Sequence, residues 1–81
     1  MDKKSGIGKE SLPSFTNKEK AVLLLIRDSL TTRQIAEHMN VSESTVKNHR
    51  HNICKKLALP AATHSLLNWV LRNQELLVFD Q

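Results

Sequence analysis

The sequence predicts an all-α domain of four helices, and three observations carry that prediction. Thr16/Glu19 and Thr31/Gln34 each pair a hydroxyl with a Glu or Gln three residues on, the pattern of a helix N-terminus. Apolar residues then recur at three- and four-residue spacing. Only Asn40, Val41 and Ser42 separate two such segments, which sets a tight turn between two short helices.

Length and composition narrow the class further. With 81 residues the chain is one small domain. A chain this short buries only about 60% of its unfolded surface, so a partner or second subunit adds stability. Two glycines and two prolines exclude a collagen-like or low-complexity chain. One cysteine excludes an internal disulfide. The longest apolar run, Ala21 to Ile26, is six residues, too short to span a membrane. Lys3 and Lys4 have no apolar segment behind them, so no secretory signal is read. The net charge of +4 is concentrated, because Glu43 to Leu57 alone carries +3. A positive charge gathered on one element is the footprint of a polyanion binder.

The elements follow in order. Residues 1–14 have no periodicity and read as a flexible arm or linker remnant. Residues 15–81 form the domain. Helix one is predicted over 17–28, capped by Thr16, with Phe15 packing as a staple and Val22, Leu25 and Ile26 on its inner face. Helix two is predicted over 32–39, with Ile35, Ala36 and Met39 inward. Asn40 suits the left-handed residue that ends it. Ser42 caps helix three, predicted over 43–57, whose buried stripe is Val46, Ile53 and Leu57. Pro60 stands ahead of helix four, predicted over 61–73. Leu76, Leu77, Val78 and Phe79 are too apolar for a free end, and either fold back on the core or meet another chain.

Two short helices joined by a tight turn, the second of them basic, make a helix-turn-helix. A helix fits the major groove of B-DNA and its N-terminal turns reach base edges. Ser44, Thr45, Lys47 and His51 supply donors there, and the amides at the starts of helices two and three can bind phosphates.

The stretch from Phe15 to Leu59 resembles the LuxR/GerE-type four-helix DNA-binding domain of bacterial transcription regulators. The resemblance spans about residues 15–71. It is sharpest at Ile35-Ala36, Val41-Ser42, Thr45-Val46-Lys47, His49, Asn52-Ile53 and Lys56-Leu57. It implies that helix three reads the major groove, with Lys47 as a main contact and Asn48 and His51 beside it. Thr45 and Lys55 or Lys56 match backbone-contacting positions. It also implies that the last helix forms a dimer contact, for which Leu66, Trp69 and Val70 are the candidates. Where the family favours glycine this chain has Ser29 and Ala58, and the turns are expected to adjust slightly. The family's Arg near the start of helix four is Ala62, which leaves Glu19 with one candidate partner fewer.

Other residues have plainer readings. Arg50 either grips a phosphate or covers the core with its stem. His49 lies on the inner side of helix three and is read as a structural histidine bonded within the domain. His51 and Cys54 form neither a zinc site nor a nucleophile-base pair, because no CxxC pair and no pocket support them. No cofactor, metal or catalytic function is expected, and the chain is read as not an enzyme. The expected partners are double-stranded DNA, a second copy on that DNA, and RNA polymerase, in the bacterial cytoplasm. The alternative is a protein-interaction module that keeps the fold without reading DNA. The chain is read as either a stand-alone regulator or a fragment of a larger one.

Overall fold

The computed structural model describes residues 13–60 and 64–77. Among them are four α-helices: α1 Asn17–Arg27, α2 Thr32–Met39, α3 Glu43–Lys56 and α4 Ser65–Arg72. A short 3-10 turn, Gln74–Leu76, follows α4. Among the described residues there is no strand, and no helix is long and apolar enough to cross a membrane. α1 packs against each of the other helices, and α2 packs on α3.

The helix starts are set by local hydrogen bonds. Glu19 N donates to Thr16 Oγ1 at 3.1 Å, and Thr16 N donates to Glu19 Oε1 at 2.9 Å. Thr31 and Gln34 repeat this reciprocal pair at 3.1 and 2.8 Å. Thr45 N donates to Ser42 Oγ at 3.1 Å. Each pairing satisfies amides that a helix start otherwise leaves without a partner. α4 differs. It begins at Ser65, His64 makes no side-chain cap, and the predicted start at 61 falls outside the described residues. Ser65 Oγ donates to the Pro60 carbonyl at 2.6 Å, so Pro60 is tied to the first turn of α4.

The helix ends correct one expectation. Ser29 and Ala58 keep the left-handed conformation, at φ 68° and 56°, as Asn40 does at 62°. The turns do not adjust. In each case the next amide reaches back five residues: Leu30 to Leu25, Val41 to Ala36, Leu59 to Cys54, at 2.9–3.1 Å. Leu30, Val41 and Leu59 then pack against the core. This arrangement satisfies end carbonyls and buries an apolar side chain, so it holds three helix ends in place. The Cβ of Ala58 and of Ser29 opposes it by about 1 kcal/mol each. Ala58→Gly and Ser29→Gly are therefore each expected to stabilise the domain by about 1 kcal/mol, as an upward shift of the urea midpoint.

The core holds Phe15, Val22, Leu23, Ile26, Ile35, Ala36, Val46, Ile53, Leu66, Val70 and Leu77. On α1 the inner face is Val22, Leu23 and Ile26, with Leu25 half-buried, a shift from the expected stripe. The cause is that α1 is central: partners on three sides bury more than one stripe. Leu77 is fully buried, so the C-terminal segment folds back on the core up to that point. Val78 and Phe79, like residues 1–12 of the expected arm, lie outside the described residues.

Among the described residues, one charged residue lies inside. Glu19 is 3% exposed and accepts from Lys56 Nζ at 2.6 Å, joining α1 to the end of α3. Burial alone would raise its carboxyl. The Lys56 ammonium, the Thr16 amide and the nearby His49 outweigh that and hold it below the ordinary glutamate range. The folded-state value lies below the unfolded one, so the stabilisation is present above the unfolded value near 4.3 and fades as pH falls through the folded one. Glu19→Gln is expected to cost about 1 kcal/mol at pH 7, discounted because Lys56 remains one-third exposed. The difference between the two proteins should narrow as pH falls below the unfolded glutamate value and through the lowered folded one, in urea melts followed by circular dichroism.

Candidate nucleic-acid interface

α3 presents two faces. Val46 and Ile53 point into the core. Ser44, Lys47, Asn48, His51, Asn52 and Lys55 are exposed. None of these six side chains has a hydrogen bond or ion pair among the described residues. The only acid on the helix, Glu43, sits in its first turn. The result is a convex strip rich in hydrogen-bond donors, on a helix narrow enough for a groove about 12 Å wide. The strip is held from both ends. The Ser42 cap and the left-handed Asn40 fix its start against α2, and the Glu19–Lys56 pair fixes its end against α1.

The residues at the edges of α3 separate. Thr45 is half-buried and its hydroxyl is 3.0 Å from Ser42 Oγ, so it works in the cap. Lys56, expected to touch DNA backbone, turns inward: its ammonium donates to Glu19 and, at 3.0 Å, to the Ser14 carbonyl, and lies 5.8 Å from the Phe15 ring centre. It fills the role of partner to Glu19 that the sequence left open. His49 is half-buried on that same side, near enough to help lower the Glu19 carboxyl, with no hydrogen bond of its side chain among the described residues. The bond expected of it is not seen among the described residues. Cys54 is half-buried, and burial pushes its thiol up, with Arg50 opposing, which disfavours the reactive thiolate. No group of three or more His, Cys, Asp or Glu among the described residues could hold a metal.

On the other edge Arg50 lines an open cleft of about 510 Å³ between α3, the start of α2 and α4. Lys47, Thr32 and His64 share its rim, and Leu67 and Leu71 form its wall. His64 was not expected beside α3 from the sequence, and the placement of α4 brings it to this rim.

The dimer candidates are also redistributed. Leu66 and Val70 are 2% and 0% exposed, because they are the inner face of α4 against α1. They cannot also be a dimer surface. Trp69 is half-buried, and Leu71, at 45%, is the large apolar side chain that α4 leaves outside.

Comparison with known proteins agrees with this geometry. Bacterial regulatory proteins of the luxR family match residues 13–67. The spore germination protein GerE of Bacillus subtilis is 34% identical over 67 residues, covering 83% of this chain and 89% of GerE. The uncharacterized response regulatory protein YgeK of Escherichia coli is 48% identical over 43 residues, 53% of this chain and 29% of YgeK. The response regulator protein TmoT of Ectopseudomonas mendocina is 41% identical over 49 residues, 60% of this chain and 22% of TmoT. The chain thus spans less than a third of the length of these two response regulators. No solved structure matches at a significant level. A capped helix-turn-helix whose exposed donors have no partner among the described residues, together with a family match over residues 13–67 of the chain, places it in the luxR family of bacterial regulatory proteins.

Proposed function

We propose that this domain binds double-stranded DNA sequence-specifically, with α3 in the major groove, and so controls transcription in the bacterial cytoplasm. One observation carries this reading: the exposed face of α3 gathers Ser44, Lys47, Asn48, His51 and Lys55 with no partner for any of them among the described residues. Lys47, Asn48 and His51 face base edges, while Ser44 and Lys55 lie toward the two ends of the strip and meet phosphates. Two copies pair on a two-fold site through the outer side of α4, where Trp69 and Leu71 offer apolar surface. Output comes from occupying a promoter and touching or blocking RNA polymerase.

The test is selection of bound sequences from a random pool of duplex DNA at about 0.15 M salt. An enriched inverted repeat is the expected result, with half-sites about one helical turn apart. A single enriched half-site would remove the dimer and keep the reading helix. Retention of DNA without enrichment would overturn sequence reading, and no retention would overturn DNA binding by this domain.

A further inference from the structure

Two cations at the edges of α3, the half-buried Arg50 and the more exposed Lys56, are treated differently by the fold. Lys56 has its anion inside the domain, in Glu19 at 2.6 Å. Arg50, on the opposite edge of the helix, has no hydrogen bond or ion pair among the described residues. Burial disfavours its charge, lowering its pKa, and only Cys54 acts against that. Among the described residues, the cleft that Arg50 lines holds no carboxylate. Its rim adds the Lys47 ammonium, the Thr32 hydroxyl and the His64 imidazole, none of them engaged among the described residues. Its wall, Leu67 and Leu71, is apolar and strengthens any charge interaction made beside it. A half-desolvated guanidinium with no carboxylate beside it among the described residues is stabilised when an anion arrives.

The position of the cleft identifies the anion. A helix about 10–12 Å across fills a major groove about 12 Å wide, so residues on its edges, not on its outermost face, meet the walls of phosphate. Arg50 lies on such an edge, and Lys47 joins the cleft to the reading face. Resting on the DNA-binding reading above, we propose that this cleft seats one phosphodiester of the DNA backbone, with Arg50 as its principal ligand and Thr32 and His64 as flanking donors. The guanidinium fork suits phosphate oxygens. A phosphate fixed there sets how far along the groove α3 sits, and hence which base pairs Lys47 and Asn48 reach.

The test is fluorescence anisotropy of the whole chain on a random-sequence duplex, with salt varied between about 50 and 200 mM. Arg50→Met keeps the apolar stem and removes the charge. Its affinity should fall about tenfold. The slope of log K against log salt should become shallower by about 0.9, the share of one phosphate. Its thermal midpoint should hold or rise, since an unpaired buried charge has been removed. Arg50→Lys should keep the parent slope, and His64→Ala should lose less affinity than Arg50→Met. Parent-like affinity and slope in Arg50→Met would overturn the phosphate seat alone. A lowered midpoint with an unchanged slope would also overturn it, by making Arg50 structural. Failure of the unaltered protein to bind any duplex would overturn it together with the DNA-binding reading.

Discussion

Lys47→Ala is expected to lower affinity for the selected duplex roughly 10- to 100-fold, or about 1–3 kcal/mol, as measured by anisotropy or gel shift. It should leave thermal unfolding within about 0.5 kcal/mol of the parent. Both halves follow from where the side chain stands. Lys47 is exposed on α3 and has no hydrogen bond or ion pair among the described residues, so little of the fold depends on it. Lys56→Ala should behave in the opposite way. It strips the buried Glu19 of its cation and frees the Ser14 carbonyl, so stability falls by about 1–2 kcal/mol while the preferred DNA sequence is kept. Two lysines on one helix thus separate reading from folding. If Lys47→Ala bound the selected duplex as tightly as the parent, α3 would not be the reading helix.

The contrast between these lysines also marks what could be read in the sequence. The caps at Thr16, Thr31 and Ser42, the tight turn at Asn40 and the inward Val46 and Ile53 all rest on residues within one or two turns of each other. Such short-range rules are written in the order of the residues. The exposed strip of α3 is legible for the same reason, as the complement of its buried stripe. Lys56 was not, because its anion lies 37 residues away on α1 and only packing brings the two together. Leu66 and Val70 erred likewise: periodicity marks the apolar face of α4 but not whether it meets its own core or another chain. The left-handed Ser29 and Ala58 went the other way. Local propensity favours a relaxed turn there, and the burial of Leu30 and Leu59 overrides it.

Ile53→Ala carries the largest expected effect on the fold. Ile53 is fully buried, in the same core as Val22, Leu23 and Ile35. Truncating a buried isoleucine to alanine loses its transfer energy and leaves a cavity, together about 3 kcal/mol. A chain of this length is stabilised by roughly 4–12 kcal/mol in all, so the loss is a large share. The thermal midpoint should drop by roughly 12–24 °C in calorimetry. Ile53→Val, which removes one methyl, should drop it by about 4–8 °C. Leu71→Ala should shift it far less, since that side chain is already 45% exposed. A midpoint for Ile53→Ala near that of Leu71→Ala would mean that α3 does not seal the core. Below its own midpoint, Ile53→Ala should still bind the selected duplex with near-parent affinity, because the donor strip faces away from the cavity. One helix then carries both tasks on opposite faces: Ile53 governs how many molecules are folded, and Lys47 governs what a folded molecule reads.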